Sequence, residues 1–267
     1  DSGIWKPISV SGLTFGTNGF YLDFEDSSAL GNDAAGSNNF TVNNLTAIDQ
    51  TTDTPTNNFA TLNSIATSNG ALAEGNTLWS PTGNNASAWS TIAVNTGKWY
   101  FEMTKGTSGD AFISISQTPK FNGFQTDSDT VSISLYMYYT AGGSGTNRFR
   151  YNSSSTAFPS GFGNDDNGTI YGVTLDFDAD QIIVRRNNDD GTKATFSIPA
   201  ALKAEPLHVG YSVTTTWPSG QFYFNFGNPS NSITSGNTDD NGYGNFEYAP
   251  PSGFLSLCTA NLSEVLG

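Results

Sequence analysis

The chain has 267 residues, with 24 acids against 10 lysines and arginines and a net charge of −14. It is too poor in cations to neutralise phosphate backbones, which excludes nucleic acid as a partner. Charged residues make up only 13% while Gly (29), Phe (19), Tyr (11) and Pro (11) are plentiful, a composition of many short strands joined by turns and hence of an all-β fold. Cys258 is the single cysteine, so there is no intrachain disulfide or thiolate metal cluster, and no apolar run approaches the ~18 residues of a membrane span, so no membrane insertion is expected.

The opening Asp1-Ser2-Gly3 has nothing of a signal peptide and reads as the start of a mature product, a fragment or an excised piece. Residues 1–75 are polar and uneven. One strand is expected at Gly19–Phe24, where Phe20, Leu22 and Phe24 share a face, and a brief second one at Phe40-Thr41-Val42. The segment has too few apolar positions for a core of its own and is expected to be a β-poor N-terminal connector that packs on, or leads into, the domain beginning at Asn76.

From Asn76 to the end the pattern is that of an antiparallel two-sheet β-sandwich. Strands are expected at 77–80, 88–94 and 98–104. In the last of these Trp99, Phe101 and Met103 face the core, and Tyr100, Glu102 and Thr104 face a partly wet outer side. Further strands are expected at 111–116 and 131–139, with Gly142–Gly145 leading into 148–151. Asp166-Asn167-Gly168, Asp178-Ala179-Asp180 and Asp189-Asp190-Gly191 punctuate a three-strand meander over 169–177, 181–186 and 193–198. Strands at 207–213 and 220–227 and a segment from Phe246 to Phe254 complete the pattern.

This order of motifs resembles the SPRY family. Gly97-Lys98-Trp99-Tyr100-Phe101-Glu102 is similar to the family's Gly-Lys-Trp-Tyr-Trp-Glu-like strand, and Gly172-Val173-Thr174-Leu175-Asp176-Phe177-Asp178 to its Gly-Val-x-Leu-Asp-x-Asp strand. Ile183–Asn187 resembles the return strand, with Arg185-Arg186 in place of the commoner aromatic-Lys pair. Phe224–Gly227, Phe246–Gly253 and Leu257–Leu262 resemble the closing strands and Pro-Pro-Ser-Gly-Phe tail of SPRY-like domains in bacteriophage structural proteins. Gly3–Pro7, Gly19–Phe24 and Pro55–Asn63 resemble a connector that precedes such domains in fibre-like proteins of marine tailed phages. The resemblance covers roughly 76–262. It implies a SPRY (concanavalin-like jelly-roll) sandwich in an extracellular virion, a missing upstream domain, and as partners a host-surface glycan or protein, other virion proteins or further copies of the chain.

For chemistry, His208 is the only histidine, and in Pro206-Leu207-His208-Val209-Gly210 it starts a strand, where a structural or surface imidazole is expected rather than a catalytic base. A multi-histidine zinc site is excluded by count. The paired carboxylates of a glycosidase could come from Glu102 and Glu247, which sit in expected strands, or from Asp165-Asp166, Asp189-Asp190 or Asp239-Asp240 in loops, but turn chemistry accounts for the loop acids, and Glu102 reads as a half-exposed strand acid. Asp176 and Asp178 are expected to bracket their turn. The loop 236–242 lacks the spaced acids and closing Glu of an EF-hand, leaving at most a loop-stabilising cation. No catalytic residue, metal or cofactor is therefore assigned.

What remains is recognition through loops at the sandwich end. Trp217 at a turn, Tyr243 in the long glycine-rich loop from 228 to 245, and Asp239 and Asp240 beside it are the candidate ligand-binding residues. Trp217 equally fits a core cap, and Trp79 and Trp89 fit either core or surface. The alternatives to host recognition are structural decoration or assembly of a capsid or tail and, third, an extracellular glycan-active enzyme.

Overall fold

The computed structural model describes residues 9–107, 109–119, 130–138, 146–163, 166–213 and 219–265. The chain forms two compact units, 1–58 and 59–267.

Among the described residues the second unit holds every strand: β1 (Leu62–Ser68), β2 (Gly70–Ala73), β3 (Leu78–Pro81), β4 (Ala86–Val94), β5 (Lys98–Lys105), β6 (Ala111–Ser116), β7 (Ser132–Met137), β8 (Arg148–Tyr151), β9 (Ser154–Ala157), β10 (Ile170–Asp176), β11 (Gln181–Arg186), β12 (Ala194–Ser197), β13 (Leu207–Val213), β14 (Phe222–Asn225) and the short β15 (Leu255–Ser256). One sheet runs β1-β4-β13-β6-β7-β8-β9 and the other β12-β11-β10-β5-β14-β3-β2, both antiparallel, with β15 lying parallel to β5. The sheets pack face to face. Rings meet across the gap at Tyr211–Phe222 (4.9 Å between centroids) and Phe149–Phe196 (4.6 Å), and Trp79, Trp89 and Trp99 are all buried.

The sandwich thus starts at Phe59 and not at Asn76. The alternation of β1 is weak because small residues fill its inward positions: only Leu62 and Ala66 are buried apolar, and Ile65 is exposed. The meander appears where the turns place it, as β10, β11 and β12, and Asp176 Oδ1 accepts from the Asp178 and Ala179 amides as a turn-bracketing acid should. Gly142–Gly145 lies outside the described residues. At the C-terminus, Leu257–Leu262 is not a strand: α1 (Thr259–Val265) occupies it, and 246–254 is irregular apart from a bridge between Phe246 and Asn237.

In the first unit no strand forms among the described residues; its regular structure is a short 3-10 turn at Ala47–Asp49. The expected Gly19–Phe24 strand is replaced by a loop organised around the buried Asp33. Its Oδ1 accepts from the Tyr21 and Ala35 amides and its Oδ2 from the Asn38 amide. These bonds, the Tyr21 N–H foremost, hold the Asp33 carboxyl below the usual carboxylate range. Phe24 turns the chain with a φ of 57°, which ends any strand, and Phe20 and Phe40 pack edge to face with centroids 4.7 Å apart while both stay exposed.

Backbone proximity sets one position in the core. Gly210, in the middle of β13, has no room for a side chain: a Cβ would overlap the Ala88 carbonyl oxygen and lie 2.9 Å from Trp89 Cα, both on the neighbouring β4. Since these are backbone atoms of a paired strand, they cannot swing aside. Gly210→Ala is expected to destabilise the protein by at least about 1–3 kcal/mol, the usual cost of overpacking, read as a lowered midpoint in urea unfolding. An unchanged midpoint would contradict this packing.

Candidate functional site

Strand β5 is central, with β10 along one edge and β14 along half of the other. Register puts Tyr171, Val173 and Leu175 beside Met103, Phe101 and Trp99 on the inner face. The outer face departs from the sequence expectation. Tyr100 and Glu102 are buried, Glu102 at 1% exposure, because the segment after β14 folds back over them.

Glu102 is the anchor of that cover. Oε1 accepts from the Tyr100 hydroxyl (3.0 Å) and the Tyr248 amide (2.8 Å), and Oε2 from Asn225 Nδ2 (3.2 Å) and the Glu247 amide (3.0 Å). Gly172, across from Glu102 on β10, leaves the space that the Tyr100 hydroxyl occupies; a Cβ there would lie 2.8 Å from it. No cation pairs with Glu102 among the described residues. Desolvating an unpaired carboxylate costs several kcal/mol, and bonds to a charged group return about 1.5–3 kcal/mol each, so four donors are what makes the site tolerable. Burial still dominates and pushes the Glu102 carboxyl above its ordinary range, while burial and the Glu102 charge push the Tyr100 phenol up.

Asp239 is a second buried acceptor, at 5% exposure. Oδ1 takes the Asn241 and Tyr243 amides, and Oδ2 takes the Ser256 amide and hydroxyl and Asn261 Nδ2, at 2.6 to 3.0 Å. Ser256 belongs to β15, which pairs with Tyr100, so the Asp239 turn is tied back to the same central strand. Asp240 is exposed and accepts from the Gly253 amide at 2.7 Å. Glu247 accepts from the Thr234 hydroxyl and amide, both at 2.6 Å, and these bonds lower its pKa.

The four candidate residues fare differently. Asp239, Asp240 and Tyr243 sit on one turn. Asp239 is turned inward with both oxygens filled by the chain's own donors, so it shapes the turn instead of facing a ligand. Tyr243 presents its ring at 37% exposure, between Gly242 and Gly244, whose φ values of 81° and 95° favour glycine. Trp217 lies outside the described residues. Glu102 is the residue that strand alternation misread: nothing local in Gly97–Met103 announces a covering segment as distant in the chain as Glu247 and Tyr248, although Gly172 opposite an acid is a signal for a close approach.

Of the remaining candidate acids Asp165 lies outside the described residues, and Asp166, Asp189 and Asp190 are engaged. Asp189 accepts from the Gly191 amide and the Thr192 hydroxyl, Asp190 pairs with Arg185 and Lys193, and Asp166 with Arg186. Among the described residues no three His, Cys, Asp or Glu side chains gather where they could hold a metal ion. His208 Nδ1 lies 2.9 Å from the Ser90 carbonyl across the β4–β13 pair, a structural contact.

No protein-family model matches the chain, and no curated protein matches it. Among solved structures it is similar to the SPRY domain of human HERC1, at 13% identity and a TM-score of 0.48 over 61% of this chain and 96% of that one. It is similar also to the TRIM65 PSpry domain, at 12% identity and a TM-score of 0.45 over 62% and 92%. A third likeness is to stonustoxin, at 15% and 0.46 over 62% of this chain and 28% of that one. The two-sheet architecture itself stands on the strand pairings of β1 to β15.

Glu102→Gln is expected to cost about 1–3 kcal/mol in urea unfolding, because an amide NH2 must then face an N–H donor. Tyr100 can reverse its bond by rotating its hydroxyl, Asn225 only by flipping its amide and giving up its bonds to Gly227 and Asn245, and the two backbone amides cannot. The pH sign follows from the raised pKa: the wild-type group binds its proton more tightly folded than unfolded, so its contribution is fully present below the unfolded pKa and is lost as pH rises through the folded value. The stability gap between wild type and Glu102→Gln should therefore widen as pH falls from neutral through that range. A gap that narrows would show that the four hydrogen bonds outweigh burial.

Proposed function

We propose that this chain is a non-catalytic recognition module of a bacteriophage virion fibre or spike, engaging a host-surface glycan or protein through loops at the end of the sandwich. One observation supports the recognition reading above others: the Asp239–Tyr243 turn is fixed from beneath by a buried carboxylate and carries the partly exposed Tyr243. A turn backbone held in advance loses little entropy on binding, and tyrosine is a frequent hot-spot residue. Asp240 flanks it with an exposed carboxylate, and Trp217 is the further aromatic that the sequence offers as a ligand-binding residue. The phage setting and the extracellular location rest on the resemblance of the connector and tail motifs. The non-catalytic reading rests on the buried acids Glu102 and Asp239, whose oxygens are taken up in holding the chain together.

A second reading, structural decoration or assembly, is favoured by the first unit. Of the eight large hydrophobic side chains exposed among the described residues, six (Leu13, Phe20, Phe24, Phe40, Val42 and Leu45) lie there. Such a concentration suits contact with another virion protein.

Binding of the full chain to host cells and to a glycan array separates the two. Tyr243→Ala, with an unchanged unfolding midpoint, is expected to weaken binding by about 2 kcal/mol, the scale of an interface hot spot, and Trp217→Ala to weaken it as well. No binding by the parent protein, together with copies spread regularly over the particle, would replace host recognition by decoration.

A further inference from the structure

Five cations, Lys98, Arg185, Arg186, Lys193 and Lys203, are tied to carboxylates. Arg148 and Arg150 are not paired with any carboxylate among the described residues, in a chain where acids outnumber bases 24 to 10. They lie on β8, two residues apart and so on one face of the sheet, within a stretch from 146 to 163 that contains no acid. Arg150 stacks its guanidinium over the Tyr136 ring, 5.5 Å from its centroid, and its Nε is buried without an acceptor. Arg148 Nη1 donates to Ser155 Oγ at 3.3 Å, so this guanidinium leans across β9 towards the rim of the sheet.

Strand β9 is that rim. All four of its residues, Ser154-Ser155-Thr156-Ala157, are exposed, and among the described residues its one partner is β8. The connecting turn, Asn152-Ser153, has φ values of 43° and 62°, as a two-residue type I′ turn requires. In such a hairpin the flanking pair, Tyr151 and Ser154, exchanges backbone bonds, and the exchanging pairs then alternate: Phe149 with Thr156, and Asn147 with Phe158, where the Phe158 amide donates to the Asn147 carbonyl at 3.0 Å. The amides and carbonyls of Ser155 and Ala157 therefore point away from β8. No proline, lysine or bulge protects this edge, the devices by which proteins discourage strand addition.

We infer that β9 is a docking edge for an extended acidic segment of a protein partner. The segment adds as a strand through the outward groups of Ser155 and Ala157, and its carboxylates reach Arg148 and Arg150 over the small side chains of β9. A polypeptide fits better than an acidic polysaccharide for two reasons. The outward donors and acceptors have the repeat of a strand ladder, and the aromatic face a sugar would need is taken, because Tyr136 is stacked between Phe112 (4.7 Å, 17°) and Arg150. The edge shares no residue with the Asp239–Tyr243 turn, so either surface can fail without the other.

The test is fluorescence anisotropy with the full chain and a short labelled peptide of alternating Glu and Thr. Binding is expected, weaker at high salt, absent for the matching Lys–Thr peptide and unchanged by Tyr243→Ala. Arg148→Gln with Arg150→Gln, and separately Ala157→Pro, should each weaken it about tenfold or more; proline at 157 removes an outward amide and no bond to β8. Failure of the Glu–Thr peptide to bind better than the Lys–Thr control overturns the inference. So does binding that Ala157→Pro leaves intact, or dextran sulfate binding that competes with the peptide and is equally indifferent to that change, since either would make the edge a polyanion patch only. Should Ala157→Pro not fold, hydrogen exchange in the parent protein decides: the Glu–Thr peptide must slow the Ser155 and Ala157 amides, and unaltered exchange overturns the docking edge.

Discussion

A carboxylate with no counter-ion among the described residues, buried in the middle of the central strand, is the constraint around which the second unit is arranged. Glu102 can stay there only if donors surround it, and the fold supplies them from three places: Tyr100 on the same strand, Asn225 on the neighbouring strand, and the amides of Glu247 and Tyr248 from the C-terminal segment. Two of these are backbone groups, which cannot be recruited without fixing the chain that carries them. A segment with no regular secondary structure is thereby given a single path over the sheet. Phe246, immediately before the two amides, is fully buried with its ring 5.1 Å from Tyr100, so the polar anchor and the apolar contact fall at one place.

Asp239 repeats the device further along. Its oxygens collect the turn from 239 to 243, the short parallel strand at Ser256 and the first turns of the terminal helix through Asn261. Asp33 does the same in the first unit, where it replaces a sheet altogether. In all three cases a short acid takes the place of the backbone ladder that irregular chain lacks, which lets a sequence rich in Asn, Ser, Thr and Gly hold defined loops without disulfides. The Tyr243 ring is exposed on such a loop, and this makes recognition through it physically reasonable.

Much of the sandwich is legible in the sequence because alternation and turn chemistry are local. Trp99, Phe101 and Met103 face inward as their spacing requires, and Asp178-Ala179-Asp180 and Asp189-Asp190-Gly191 place the meander. The misreadings share one cause, which is that a distant group supplied or took up what the local pattern assigned to solvent. Glu102 reads as an outer, half-wet acid until the residues around 247 cover it. Gly19–Phe24 has the period of a strand, but the Tyr21 amide goes to Asp33 and Phe24 adopts a left-handed conformation. Residues 62–73 carry too few large side chains to show as strands, although their backbone pairs with β4 and β3. Of the candidate site, the loop and Tyr243 are visible from glycine and aromatic placement; the inward turn of Asp239 is not, because it depends on Ser256 and Asn261.

Native-state hydrogen exchange at the Glu247 and Tyr248 amides tests the central constraint most directly. If Glu102 holds the C-terminal segment to β5, these two amides exchange only as slowly as the β5–β10 ladder in the wild-type protein, and in Glu102→Ala they become fast while the ladder stays protected. Fast exchange at both positions in the wild-type protein would contradict the clamp.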